Sequence, residues 1–232
     1  MMEVTAKDGG VFRAYLALPA SGRGPGIVIG QEIFGVNANM RAVADRFAED
    51  GYVALVPDLF WRLQPGIELG YTQEEFEKAF GYLAEFDQDQ AMVDIAACLD
   101  ALQALPQVTT PATGFVGYCL GGRLAYLAAS RTGVACAVGF YGVNIENLLH
   151  EAPNISCKLV LHFAEQDRFA GTDAIEKIFP VLGALPDAEL YRYPGVDHAF
   201  ARVGGDHYDE AAAELAHRRT LAALQNALGK PQ

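Results

Sequence analysis

This sequence predicts an α/β fold, a mostly parallel central sheet of about seven to eight strands with helices on both faces, and two observations carry that prediction. Short continuous apolar runs, such as residues 26–29 and 52–56, have the length and branched content of strands buried on both faces. These runs alternate with stretches of helical apolar spacing, and strand–helix alternation builds a parallel sheet whose strand-end loops share one edge. A chain of 232 residues can bury such a sheet without a linker, so one domain is expected over 1–232.

Residues 11–18 alternate loosely and carry aromatic and branched side chains, which suits a half-exposed first strand, and Ser21-Gly22-Arg23-Gly24-Pro25 then turns the chain. The run 26–29 is the first buried strand. Gln31-Glu32-Ile33-Phe34-Gly35-Val36-Asn37 is the loop at its carboxyl end, where a doubly wound sheet binds ligands. Asn39 is the expected cap of a helix in which Met40, Val43, Ala44 and Phe47 recur at helical spacing until Gly51. A strand over 52–56 delivers Pro57-Asp58-Leu59-Phe60-Trp61-Arg62 to the same edge. The segment 63–86, punctuated by Gly and Pro and then partly helical, reads as an excursion over the site.

Ala91, Ile95, Cys98, Leu99 and Leu102 give 90–105 one apolar helical face. A strand at 114–116 feeds a helix at 120–129, and strands follow at 135–141 and 159–163. A helix from about 173 to 185, a strand at 188–193 and a closing helix at 208–228 complete the chain.

Composition narrows the function. The formal charge of -12, with no basic run, disfavours nucleic acid and anionic membranes as partners. The first ten residues lack a basic region followed by an apolar core, and no stretch of about 18 apolar residues occurs, so a soluble, cytoplasmic protein is expected. Cys98, Cys119, Cys136 and Cys157 include no C-x-x-C pair, which argues against a zinc site and a disulfide framework. His150, His207 and His217 lack metal-ligand spacing, His162 sits in an apolar strand as a core residue would, and no G-x-G-x-x-G follows the first buried strand. No metal and no cofactor are expected.

The chemistry centres on Gly117-Tyr118-Cys119-Leu120-Gly121-Gly122, which follows a short strand and opens a helix. The G-x-nucleophile-x-G pattern places its central residue on a strained turn exposed above a sheet, with small neighbours that permit close packing. Serine is usual there. A cysteine, with an ordinary pKa of about 8.5 and a more nucleophilic anion, changes how the nucleophile has to be controlled.

Asp167 and His198 each follow a predicted strand, and the order nucleophile, acid, histidine is that of the α/β-hydrolases. A histidine can accept the thiol proton and return it to a leaving group, while an aspartate fixes its tautomer. The backbone amides of Leu120 and Ile33 are the expected oxyanion donors. Glu32 is the unusual member, because an acid beside a thiol either suppresses thiolate formation or accepts the proton.

These segments together resemble the dienelactone hydrolase (carboxymethylenebutenolidase) family nearly end to end. The resemblance is carried by Gln31 to Asn37, Gly51-Tyr52 through Pro57-Asp58-Leu59, Val116 to Gly122, Tyr141-Gly142-Val143, Gln166-Asp167 and His198 to Arg202. It implies hydrolysis of dienelactone to maleylacetate by a Cys-His-Asp triad through an acyl-thioester, with no cofactor. It also implies a resting neutral thiol, whose proton passes to Glu32 when substrate binds, a coupling that limits oxidation of the sulfur. Arg202 matches one of two arginines that hold the substrate carboxylate, and Phe34, Tyr141 and Phe169 are expected beside it.

Where the family has its second arginine this chain has Phe76, and where it has a tyrosine this chain has Phe80. Loss of one charge-assisted contact weakens selection for an anionic lactone, and two phenylalanines favour a more apolar acyl group. Arg62 is the available substitute, set against a purely structural role. Three functions follow: a small-lactone or ester hydrolase, a broader carboxylesterase or thioesterase of the same fold, and a non-catalytic small-molecule-binding protein. A monomer is expected in each case.

Overall fold

An antiparallel hairpin opens the chain in the computed structural model, which describes residues 1–231. β1 (Met2–Thr5) pairs with β2 (Val11–Ala17), Val4 opposite Phe12. Only Val4 of the four β1 residues is buried, so the sequence shows no apolar run to announce that strand. β3 (Gly24–Gly30) is buried at every position, and because successive side chains point to opposite faces, both of its faces are covered.

The chain divides into two compact units, Met1–Thr113 with the end from Lys230, and Gly114–Gly229. In the first, α1 (Ala38–Glu49) follows β3, and its cap is Asn37 rather than the expected Asn39. Asn37 has extended backbone, and its side chain accepts from the Met40 amide at 3.1 Å, which only the residue three positions earlier can do as an N-cap. β4 (Val53–Pro57) lies parallel to β3 and antiparallel to β2, and all five of its residues are buried. The excursion 63–86 contains α2 (Gln73–Glu85), started by a reciprocal capping box between Thr72 and Glu75. α3 (Gln88–Gln103) begins two residues earlier than its apolar face suggests, because Asp87 caps it.

The boundary between the units falls within β5 (Val108–Tyr118), whose first half is Thr-rich, contains Pro111 and is only partly buried. In the second unit the latter half of β5 pairs in parallel with β6 (Cys136–Phe140), β6 with β7 (Lys158–Ala164), and β7 with β8 (Ala188–Tyr193). α4 (Leu120–Arg131) follows β5, α5 (Thr172–Leu182) follows β7, and α6 (Glu210–Leu228) closes the unit. Parallel order carries the residues after β5, β6, β7 and β8 to one edge.

Two polar clusters tie this unit together. Arg131 pairs with Glu151, which also accepts from Ser130, and so holds the 3₁₀ segment Leu149–Asn154 to α4. His162 is buried as expected, with Nδ1 on Tyr193 Oη at 2.8 Å and Nε2 on Thr220 Oγ1 at 3.1 Å. Burial without a carboxylate partner pushes His162 down to about 3, so it stays neutral at physiological pH.

Candidate active site

Cys119 stands between β5 and α4 with φ 56° and ψ -110°, a conformation that costs a residue with a Cβ roughly 1–3 kcal/mol. Its amide donates to Phe140 O at 3.0 Å, and its carbonyl accepts from the Arg123 amide at 3.2 Å, so strand and helix hold the turn from both sides. Close approach explains the glycines. A Cβ on Gly117 would lie 1.8 Å from Gly121 O, and one on Gly122 would lie 2.5 Å from Phe140 O. The Leu120 amide occupies the first turn of α4, where backbone donors have no intrahelical acceptor.

Asp167 and His198 meet across the ends of β7 and β8. His198 Nδ1 lies 2.7 Å from Asp167 Oδ2, while Asp167 Oδ1 accepts from the Phe169 and Ala170 amides at 2.7 and 3.1 Å. Both carboxylate oxygens are therefore engaged, and Asp167 is 3% exposed. The His198 amide donates to Asp197 Oδ1 at 2.6 Å, and His207 Nδ1 lies 3.0 Å from the His198 carbonyl. Tyr141 and Phe169 present ring edges to the imidazole with centroids 5.0 Å away.

The other face of the imidazole system engages Cys119. Burial, the largest single influence on His198, pushes its pKa down. The negative charge of the Cys119 sulfur, the hydrogen bonds to Asp167 and Cys119, and the Asp167 charge together overcome burial and hold His198 up at about 10. In the second unit, then, Cys119, Asp167, Tyr141 and Phe169 surround His198, and Leu120 follows Cys119. Arg202, half-buried, follows in the turn after His198, its amide donating to Ala199 O at 2.9 Å.

In the first unit the loop after β3 is fixed by Gln31, whose Oε1 accepts from the Leu59 amide at 3.1 Å and whose Nε2 donates to Glu32 O at 3.3 Å. Glu32 and Ile33 are buried. Gly35, at φ 76°, bridges to Glu68, and the Leu69 amide donates to Phe34 O. Phe34 stacks edge-on against Tyr71 at 4.8 Å and Phe76 at 4.9 Å, and Phe76 continues to Phe80 at 6.5 Å. The result is an aromatic wall with Tyr71 and Phe80 exposed. Tyr71 escapes sequence reading because it lies in an irregular segment, although its hydroxyl is reached by Asn37, the last residue of the motif loop.

Arg62 belongs elsewhere. It donates to both Asp94 oxygens at 2.8 Å and to Asp8 at 2.7 Å, and it covers the Trp61 ring. Its role is structural.

A protein-family model matches this chain over residues 12–228, and it describes the dienelactone hydrolase family. The chain belongs to that family. A protein of Azospirillum brasilense provisionally named a carboxymethylenebutenolidase is 41% identical over 230 residues, covering 98% of this chain and 99% of its own. The carboxymethylenebutenolidase of Pseudomonas sp. (strain P51) is 36% identical over 225 residues, 97% and 94% of the two chains. A crystal structure from Klebsiella pneumoniae, provisionally named a dienelactone hydrolase, superposes with a TM-score of 0.82 at 25% identity, covering 96% of each chain. Dienelactone hydrolases are enzymes of the α/β-hydrolase fold, and this member is a hydrolase with that fold. No helix among its described residues is long and apolar enough to cross a membrane.

Proposed function

We propose that this dienelactone hydrolase cleaves a small lactone or ester with Cys119 as nucleophile, His198 as general base and acid, and Asp167 as the residue that orients the imidazole. The observation that carries this reading is the imidazole held between Asp167 and Cys119 and raised to about 10. Once the Cys119 proton has passed to Glu32, a thiolate beside an imidazolium gives a ready nucleophile and a loaded leaving-group proton.

The reaction runs in two halves. Cys119 Sγ attacks the carbonyl carbon, the carbonyl π pair moves to oxygen, and the Leu120 amide with that of Ile33 stabilises the oxyanion. As the tetrahedral adduct collapses, the acyl C–O bond breaks and the departing oxygen takes the His198 proton. A thioester and a neutral imidazole remain. His198 then removes a proton from water, the resulting hydroxide attacks the thioester, and the sulfur leaves as a thiolate. The roles of Glu32, as the group that receives the Cys119 proton during activation, and of Ile33 rest on the Gln31–Asn37 motif.

The names of the relatives favour a carboxymethylenebutenolide as substrate, and Arg202 suits its carboxylate. Phe76 and Phe80, which stand where the family has an arginine and a tyrosine, favour in addition a neutral, flat acyl or alcohol group, and hence an esterase broader than a strict lactonase. Small molecules are the only partners this reading requires, and it needs neither a cofactor nor a second copy of the chain.

The test compares wild type, Cys119→Ala and Cys119→Ser on cis- and trans-dienelactone and on a neutral aryl ester. Turnover confined to the proteins with a nucleophile, with a thioester trapped on Cys119 at low pH, is expected. Equal turnover by wild type and Cys119→Ala on every substrate would overturn the assignment.

A further inference from the structure

One charged side chain of the second unit has no role in the reaction as written. Arg123 lies one helical turn beyond Cys119, and its amide makes the first hydrogen bond of α4 to the Cys119 carbonyl. Side chains on a helix lean toward its N-terminus, so a residue four positions along covers the turn that Cys119 opens. The backbone of Arg123 is itself packed in place, since a Cβ on Gly142 would come within 3.0 Å of its nitrogen.

The guanidinium Nε is buried and has no hydrogen-bond partner. The other arginines of this unit that approach the interior behave differently. Arg131 donates to Glu151, and Arg219 donates to Tyr193 Oη at 3.1 Å. A buried donor left without an acceptor costs about 1–3 kcal/mol, more when it is charged, so its retention calls for a countercharge. Burial pulls the Arg123 pKa down, and the charge opposing that pull is the Cys119 sulfur.

The triad supplies the complementary half. Thiol, neutral imidazole and aspartate carry a formal charge of -1, and so do thiolate, imidazolium and aspartate. Moving the proton from sulfur to nitrogen leaves that excess negative charge in place.

We propose that Arg123 is a positioning residue for the nucleophile: from one turn along α4 its guanidinium balances the net negative charge of the triad and stabilises the anionic sulfur of Cys119. Proximity to the helix N-terminus adds to the same effect. This inference rests on Cys119 being the nucleophile, but not on which ester is cleaved. It also predicts a charge preference at the sulfur that packing alone would not produce.

The experiment measures second-order alkylation of Cys119, located by peptide mass mapping, with iodoacetate and iodoacetamide at low ionic strength. The reagents differ in charge and little in size. In wild type the rate ratio of iodoacetate to iodoacetamide at Cys119 should exceed the ratio for the same residue in the urea-unfolded chain. Arg123→Gln should lower the folded-state ratio by about fivefold or more, and Arg123→Lys should keep it within about twofold of wild type. An unchanged ratio in folded Arg123→Gln overturns the proposal. So does a folded Arg123→Lys that loses the preference, or a wild type with no preference over the unfolded chain, and these two results hold even where the glutamine variant fails to fold. Alkylation requires no turnover, so failure of the hydrolase assignment would show in the Cys119→Ala assay, independently of this ratio.

Discussion

Removing the Cys119 sulfur should loosen the proton that His198 holds, and the direction of the effect follows from what lifts the imidazole. Among the influences that lift the imidazole, the Cys119 charge outranks the Asp167 hydrogen bond, and the Cys119 hydrogen bond outranks the Asp167 charge. The sulfur is therefore a principal source of the lift. Burial, which exceeds each of them and acts downward, remains in Cys119→Ala. His198 should then titrate well below about 10. Each pH unit by which it falls corresponds to about 1.4 kcal/mol of interaction between sulfur and imidazolium.

The assay is heteronuclear NMR of the imidazoles, of which the chain has five, with His198 assigned by substitution. The direction of the stability change is also fixed. A histidine whose folded pKa is raised from 6.5 to about 10 contributes stability in full below pH 6.5, and that contribution is lost as pH rises through about 10. In Cys119→Ala that loss should come at lower pH. An imidazole that still titrates near 10 without the sulfur would refute the ion-pair reasoning, as would a wild-type His198 that titrates near 6.5.

Phe76→Ala removes the edge-on contact with Phe34 and the link to Phe80, and it should raise KM for a neutral aryl ester about tenfold with kcat within about threefold. An unchanged KM would remove the aromatic wall from the substrate site. Arg62→Ala leaves Asp94, whose side chain is 2% exposed, without its guanidinium. Urea unfolding should show a loss of about 3 kcal/mol with no change in preference between dienelactone and a neutral ester, whereas a selective loss on dienelactone would make Arg62 a substrate ligand. Gly122→Ala drives a Cβ to 2.5 Å from Phe140 O and 2.8 Å from Gly142 Cα, so it should lower stability by about 3 kcal/mol or more in urea unfolding. A fully stable Gly122→Ala protein would refute the close-packing account of the turn.

Most of the frame is legible in the sequence wherever burial is two-sided. β3 and β4 read directly because an apolar run has one meaning when both faces are covered. β1 and the first half of β5 do not, since each is partly exposed and β5 carries Pro111. The cap of α1 is Asn37, two residues before the Asn39 that the sequence suggests, because the two asparagines have the same chemistry and only the extended backbone at Asn37 separates them. At the site, chain order places Cys119, Asp167 and His198 just beyond the ends of β5, β7 and β8. It does not disclose the engagement of both Asp167 oxygens, which depends on the turn through Phe169 and Ala170. Tyr71 and Arg123 lay outside the motifs, and each acquires meaning only from a neighbour: Phe34 for one, Cys119 for the other.

The source of the His198 lift also bears on why one imidazole can serve both halves of the proposed reaction. In the activated state, with the Cys119 proton passed on, the sulfur is charged and the imidazolium is held firmly, so the proton is in place when the leaving oxygen needs it. Formation of the thioester removes the sulfur charge, and with it a principal part of what holds the proton, while burial continues to favour the neutral ring. The acid therefore weakens its grip as the C–O bond breaks, and the neutral imidazole left behind can accept a proton from water. Hydrolysis of the thioester restores the thiolate and makes His198 a strong proton holder again. Cys119→Ala mimics the charge of the thioester state, so its His198 titration reports directly on the group that must act as base in the second half. A value remaining near 10 would leave that base protonated at neutral pH and would rule out the sulfur charge as the switch.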